Sequence, residues 1–323
     1  MKTRIAFIAL GLGTLLLSCR SVEAFGGSTA PTDQTSAASF LGRWDLTLKS
    51  ADRDYASWLD LREQDGKLTA EMVGRWGHAR PLPRVEVSGD RITFVSPKEE
   101  EGSQTDLVFQ GTLAGGNLSG ALNGPDGTTW RWVGVRAPAL ERTGAPKWGK
   151  PIRLFSGHNL DGWTMSSPGT PAWTVQDGNL VSPGHGPELI SNARFGDFRL
   201  HVEFNAGAKS NSGVFLRGRD EVQIETDSIS APPSHHTGGV YGFIAPQPEL
   251  PRVADKWQTF DITLIGRRIT VVQNGQKIID NQEIPGITGG ALDSQEGQPG
   301  PIYLQGSENG HVQFRNIVIT PAQ

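Results

Sequence analysis

Cysteine is almost missing from this chain: 323 residues contain one, Cys19, so no disulfide can form within it. An excess of basic charge is missing too. Thirty Lys and Arg against 34 Asp and Glu give a formal net charge of -4. That balance gives no electrostatic argument for nucleic acid, whose binding ordinarily rests on a basic patch or stripe. No dinucleotide fingerprint or P-loop occurs, so nothing supports a bound nucleotide. The apolar run from Ile5 to Leu17 falls short of the roughly 20 residues that a membrane span requires. Helical periodicity is also wanting, and no helix longer than a turn or two is signalled.

What is present begins with a targeting segment. Lys2 and Arg4 precede the apolar run, which ends in Leu16-Leu17-Ser18-Cys19. This ending resembles a bacterial lipobox with Cys19 as the lipidated residue. Residues 1–18 are therefore expected to be a lipoprotein signal peptide. Residues 19–38, rich in Ser, Thr, Gly and Ala, are expected to be a flexible tether. The alternative is an ordinary secretory signal cleaved near Ala24. Arg20 rather than Asp follows the cysteine. The expected location is thus the bacterial cell envelope, as an exported lipoprotein held to the outer membrane through a lipid on Cys19.

The length suggests two domains at roughly 100–200 residues each, and 41 Gly with 21 Pro suit many short turns. Trp44–Leu48 alternates apolar and polar residues as a half-buried strand does. Similar runs follow at Trp58–Arg62, Lys67–Val73, Arg84–Val87, Arg91–Val95, Asp106–Leu113, Asn117–Leu122 and Thr128–Val135. Asp65-Gly66, Ser88-Gly89-Asp90, Gly115-Gly116-Asn117 and Pro125-Asp126-Gly127 supply turns between them. About eight strands in about 100 residues predict a small antiparallel β-barrel-like domain over residues 39–136. Its opening, Gly42-Arg43-Trp44, resembles that of lipocalin-like barrels. A Pro- and Gly-bearing linker over 137–150 then leads to a second β-rich domain over 151–323. Within it, Phe198, Leu200, Val202 and Phe204 alternate with Arg199, His201 and Glu203. Asn274-Gly275 is a two-residue hairpin turn. The pattern predicts an all-β protein whose second domain is two stacked antiparallel sheets.

This second domain carries an ordered series of motifs. Leu154-Phe155-Ser156-Gly157-His158-Asn159-Leu160-Asp161-Gly162-Trp163 is followed by Trp173-Thr174-Val175-Gln176-Asp177-Gly178-Asn179-Leu180 and Phe195-Gly196-Asp197-Phe198-Arg199-Leu200 with Glu203. Asn211-Ser212-Gly213-Val214-Phe215-Leu216-Arg217 comes next, then Glu221-Val222-Gln223-Ile224-Glu225, Thr237-Gly238-Gly239-Val240-Tyr241 and Lys256-Trp257-Gln258. The series closes with Gln273-Asn274-Gly275, Gly300-Pro301-Ile302-Tyr303-Leu304-Gln305 and Phe314-Arg315-Asn316-Ile317. Taken in order, it resembles the 3-keto-disaccharide hydrolase family over nearly all of 151–323, and over none of the first domain. The resemblance implies a concanavalin A-like jelly-roll sandwich acting on sugars whose C3 hydroxyl has become a ketone. Removal of the acidified C2 proton, expulsion of the C1 substituent and hydration of the product would cleave a 3-keto-glycoside or 3-keto-disaccharide. A separate upstream sugar 3-dehydrogenase is then implied. The alternative is a non-catalytic, lectin-like carbohydrate-binding lipoprotein, since fold does not fix function; a structural lipoprotein docking envelope proteins is a further rival.

Strand periodicity sets Glu221, Gln223 and Glu225 on one face, with Val222 and Ile224 toward the core. Carboxylates so placed raise each other's pKa, which suits acid–base work. They could equally hold a divalent cation with the Gln223 carbonyl, so the cofactor expectation is none certain, with Glu221 and Glu225 as metal candidates. The alternative is a solvated face of an edge strand. The family pattern often has Asp at the last acid position, where this chain has Glu225. Arg217 is a candidate for polarising the ketone or for a salt bridge to Glu221 or Glu203, and Glu203 with His201 for a proton-transfer pair. Asn211, Gln223, His235, His236, Tyr241, Gln305 and Trp163 are the substrate-binding candidates. Trp173 and Trp257 read as core. Trp58, Trp76 and Trp130 could line a barrel cavity for a glycan, but core packing is the reading adopted for them.

Overall fold

The computed structural model describes residues 37–167, 172–182, 184–226 and 230–323. The signal peptide, Cys19 and most of the tether lie outside the described residues. From Thr35 to Gln323 the chain forms one compact unit.

The first sheet holds β1 (Gly42–Lys49), β2 (Asp54–Gln64), β3 (Lys67–Val73), β4 (Arg80–Pro81), β5 (Arg84–Ser88), β6 (Arg91–Ser96), β7 (Leu107–Ala114), β8 (Asn117–Asn123) and β9 (Thr129–Arg136). Every strand pairs antiparallel with its chain neighbour except at β4/β5, and β1 also pairs with β9, giving the order β4-β3-β2-β1-β9-β8-β7-β6-β5. This is a meander curled into a barrel. All eight runs expected from periodicity are strands; the two-residue β4 is too short to show a period. The inward residues Trp44, Leu46, Phe94, Phe109, Leu118 and Trp132 form one apolar cluster. Arg136 lies over the Trp44 ring at 3.8 Å.

The second part is a sandwich built from β10 (Ile152–Arg153), β11 (Trp163–Met165), β12 (Thr174–Gln176), β13 (Asn179–Ser182), β14 (Leu189–Phe195), β15 (Phe198–Ala206), β16 (Asn211–Leu216), β17 (Asp220–Glu225), β18 (Gln258–Ile265), β19 (Arg268–Gln273), β20 (Gln276–Glu283), β21 (Gly300–Leu304) and β22 (Val312–Pro321). One sheet runs β12-β13-β22-β15-β18-β19-β20 with β10 beside β22; the other runs β11-β14-β21-β16-β17. Leu200, Val202 and Phe204 on β15 face Val214, Val222 and Ile224 of the other sheet in a shared core. Asn274 and Gly275 both take positive φ, 50° and 80°, in the hairpin between β19 and β20, the geometry of a type I′ turn.

β2 breaks its own alternation: Ala56 through Leu61 are all buried. The reason is that β2 has no solvated face. Leu59 and Leu61 point into the barrel, whereas Ala56 and Trp58 pack with Val73 and Ile287, and with Phe243 and Ala291 of the sandwich loops. The Trp58 and Phe243 rings meet edge-on at 5.6 Å. Around this apolar seam, Thr47 Oγ1 and Ser294 Oγ lie 2.6 Å apart, and Arg43 pairs with Glu283 at 2.7 Å. Arg267 binds both oxygens of Glu296 through its two terminal nitrogens.

Asp45, on the outer face of β1, is buried in the same seam. Burial and the adjacent Glu296 carboxylate push its pKa from 3.8 up to about 9, outweighing Arg267 and Arg219. A carboxyl whose folded pKa is raised contributes its full stability below 3.8 and loses it progressively as pH rises toward 9. Asp45→Asn carries no such loss. Its melting temperature should match wild type near pH 3.5 and exceed it increasingly from pH 5 to pH 9, as followed by thermal melts across pH. An equal difference at all pH values would contradict this reading of the seam.

Candidate functional site

Gly213 on β16 stands opposite Gln223 on β17, and Phe215 opposite Glu221. The Glu221 carboxyl folds back over Gly213, where an added Cβ would lie 2.1 Å from Glu221 Oε1. The absence of a side chain at 213 is what lets the carboxyl sit against the sheet. β17 is the edge of its sheet, but the edge is covered. Gly238 N–H donates to Gln223 O at 2.8 Å, Gln223 N–H to Gly239 O at 2.9 Å, and Tyr241 N–H to Glu221 O at 3.0 Å. This added segment satisfies backbone groups that a bare edge would expose.

Glu221, Gln223 and Glu225 do share a face, and it is buried rather than solvated. Glu221, Gln223, Asn211, Tyr241 and Gln305 converge on a cavity of about 110 Å³, together with Glu308, Trp76, Gly77, Gly289 and Gly290. Asn211 Nδ2 donates to Glu308 Oε2 at 2.8 Å. Turned about its last bond, the Gln223 amide donates to Glu221 Oε1 at 2.9 Å and Ser212 O at 3.1 Å. Gln305 Oε1 is buried and has no hydrogen-bond partner, so a polar acceptor is held ready beside the carboxyl groups.

The electrostatics favour proton transfer. Burial, then the Glu308 charge, raises the Glu221 pKa well above 4.5. Burial also pushes the Tyr241 phenol up to about 12, with Glu221, Glu308 and Glu225 adding to the shift. A carboxyl tuned upward beside a neutral phenol is an arrangement that acid–base catalysis uses.

The other sequence candidates lie elsewhere. Arg217 occupies the hairpin at the end of β16 in a left-handed conformation, φ 52°. Its Nη2 donates to Gly266 O at 2.9 Å and to Asp220 Oδ2 at 3.3 Å. It therefore pairs with neither Glu221 nor Glu203. Glu203 belongs to the opposite sheet, bound by Arg315 at 2.6 Å and Asn316 at 3.1 Å. His201 stands 4.0 Å from it, as expected, but its shorter pairing is with Asp261 at 2.7 Å, and both lie away from Glu221. Glu225 lies two positions beyond Gln223, outside the cavity lining, with its backbone N–H donating to Thr237 Oγ1. His235 stacks behind Tyr241, ring centroids 4.3 Å apart. His236 faces away, toward Glu249 Oε1 at 3.0 Å and Ala231 O at 3.0 Å. Trp163 is a core residue whose indole N–H donates to Leu154 O at 2.7 Å; its apolar β11 setting outweighs its neighbouring glycines. Among the described residues, no group of three or more His, Cys, Asp or Glu could hold a metal ion. Periodicity could not reveal Glu308, which stands in an irregular segment. Core packing holds for Trp58 and Trp130 but not for Trp76, which is 42% exposed and lines this cavity, because its irregular segment leaves the indole outside the barrel core. A larger cavity, of about 600 Å³, opens beside the linker. Its Arg43 and Arg267 are already paired with Glu283 and Glu296.

A sandwich whose one sheet carries a buried, upward-tuned carboxyl among amide and phenol groups is suited to carbohydrate chemistry. Residues 150–320 match the model of the family described as the 3-keto-alpha-glucoside-1,2-lyase-like domain. That is more than half of the chain, and the chain belongs to this family of carbohydrate-processing enzymes. Among solved structures, it is similar to a protein of Parabacteroides distasonis ATCC 8503 provisionally described as a glycosyl hydrolase. That likeness has 26% identity, covers 55% of this chain and 92% of that one, and has a TM-score of 0.46. A second such protein of the same organism shows 23% identity over 53% and 98% of the two chains, at TM-score 0.41. The carbohydrate-binding module CBM66 of Bacillus subtilis shows 15% identity over 49% and 95%, at TM-score 0.31. No curated protein matches the chain.

The Gly213 contact is testable on the folded protein. Gly213→Ala should displace the Glu221 carboxyl and cost about 1–3 kcal/mol as an overpacking change, measured by urea unfolding. A variant as stable as wild type would show that the carboxyl is not held against this glycine.

Proposed function

We propose that the protein cleaves 3-keto-glycosides or 3-keto-disaccharides by elimination followed by hydration. The observation that carries this reading is the buried Glu221 in a polar cavity, on a strand inside the family-matched region. The ketone acidifies the C2 proton. Glu221 removes that proton, and its raised pKa makes its carboxylate a stronger base than an exposed one. The neutral Tyr241 hydroxyl donates to the ketone oxygen as charge gathers there. The electron pair from the C2–H bond forms the C1–C2 double bond, and the C1–O bond breaks. The departing oxygen takes the proton back from Glu221. Water then adds its hydroxyl to C1 and a proton to C2, so the net change is one water consumed per glycosidic bond. Asn211, Gln223 and Gln305 hold sugar hydroxyls, with the unpartnered Gln305 Oε1 as an acceptor.

The 3-keto substrate must be supplied by an enzyme that oxidises a sugar C3 hydroxyl. Export and anchoring through a lipid on Cys19 complete the proposal; labelling with a radioactive fatty acid should mark wild type and not Cys19→Ser.

The test incubates the purified protein with 3-keto-trehalose in deuterated water and follows it by NMR. Sugar release with deuterium at C2 is expected, and Glu221→Gln should lower kcat by about 10²–10⁴-fold. Saturable binding with neither release nor exchange would overturn the enzyme in favour of a lectin-like protein. The pH dependence supplies a second test. Activity needs ionised Glu221, so it should rise with pH on a limb set above the ordinary carboxyl range. Glu308→Gln removes a neighbouring negative charge and should move that limb to lower pH. A limb that stays in place would remove Glu308 from the site's electrostatics.

A further inference from the structure

The cavity beside Glu221 is not made by the family-matched sandwich alone. Trp76 and Gly77, in the segment between β3 and β4 of the barrel, form one of its walls. Trp76 is also one of the few large apolar side chains left open, at 42% exposure. We infer that Trp76 is the stacking surface for the ring joined to the keto-sugar, and that the barrel thereby selects disaccharides over short alkyl glycosides. This inference rests on the reading of Glu221 as the catalytic carboxyl.

Three observations carry it. The first is the size of the cavity. About 110 Å³ is well below the 300–1,000 Å³ that encloses a drug-sized ligand. The part of a disaccharide beyond the reacting ring must extend across the rim, where the indole stands. The second is that the indole is held in place. The Arg75 guanidinium lies 3.9 Å from the ring centroid on one face, and Tyr55 meets the ring edge-on at 6.2 Å. Arg75 is in turn anchored by Glu101, which is fully buried and also takes Arg80 at 2.9 Å and Ser96 at 2.7 Å. An aromatic platform fixed before binding loses little side-chain freedom when a sugar arrives.

The third observation is the grip of the sandwich on the same segment. A Cβ on Gly289 would lie 2.0 Å from Gly77 O, so the two backbones touch. One residue further on, the His78 ring contacts His235, centroids 4.9 Å apart, and His235 stacks on Tyr241 of the site. Trp76 is thus set against the cavity from both sides. Its position follows from the joining of barrel and sandwich.

The full-length protein is compared as wild type, Trp76→Ala and Trp76→Phe on 3-keto-trehalose and on methyl 3-keto-glucoside. Trp76→Ala should raise KM for the disaccharide roughly tenfold with kcat little changed, and Trp76→Phe should recover most of that loss. All three proteins should share one KM for the methyl glycoside within about twofold. Equal disaccharide KM in wild type and Trp76→Ala, or an equal loss on both substrates, would overturn the inference. If wild type turns over neither sugar, the reading of Glu221 fails by itself. Calorimetric titration with 3-keto-trehalose then decides the platform: a roughly tenfold weaker Kd for Trp76→Ala supports it, and an unchanged Kd or absence of binding to wild type sinks it.

Discussion

The burial of Trp58 against Ile287 and Phe243 is the contact on which the rest of this molecule depends. It removes one face of the β1–β3 region from water and joins two β-structures that would otherwise be linked by a Pro- and Gly-bearing segment. A fully buried indole contributes on the order of several kcal/mol by area alone. The polar groups around it matter in a different way. Asp45, Glu296 and Arg267 share a space with too little water for three charges, so one carboxyl keeps its proton. Such groups contribute little net stability, but they penalise any other docking of the two surfaces, because a misplaced charge there would stay unpaired.

The same economy of water governs the site. Glu221 is buried by two devices, the bare backbone of Gly213 beneath it and the Gly238–Tyr241 segment along the strand edge. Without the added segment β17 would be an ordinary exposed edge, and its acidic face is closed over by Tyr241 together with Trp76, Gly77, Gly289 and Gly290. Burial is the main reason the carboxyl departs from its usual range, and Glu308 adds to it. The chemistry follows from covering the strand, not from the acid residues by themselves.

Much of this was legible in the sequence where a period of two could speak. The barrel strands, the alternation of β15 and the shared face of Glu221, Gln223 and Glu225 all followed from it, and the Asn-Gly pair marked the turn at Asn274-Gly275. The ordered motifs gave the family of the second half. Asn211, Tyr241 and Gln305 were found through those motifs and do meet at the cavity. Periodicity failed where tertiary packing decides. It could not tell that β2 is covered on both sides, or that Arg217 turns toward Gly266 O. Nor could it show that the Trp163 indole N–H is spent on Leu154 O. Glu308 escaped because it belongs to no regular element. Trp76 was weighed as a glycan contact and assigned to core packing, wrongly, because it stands in an irregular segment whose exposure no periodicity reports.

The backbone contact of Gly77 with Gly289 has a consequence for how such proteins diverge. A chain advances about 3.3–3.6 Å per extended residue, so gaining or losing one residue between β3 and β4 would shift the indole by about a hydrogen-bond length. Loops at barrel rims tolerate such changes far better than strands do. Length variation in this one loop would act as an evolutionary dial on the pocket, altering its outline while every residue of the acid–base machinery stayed the same.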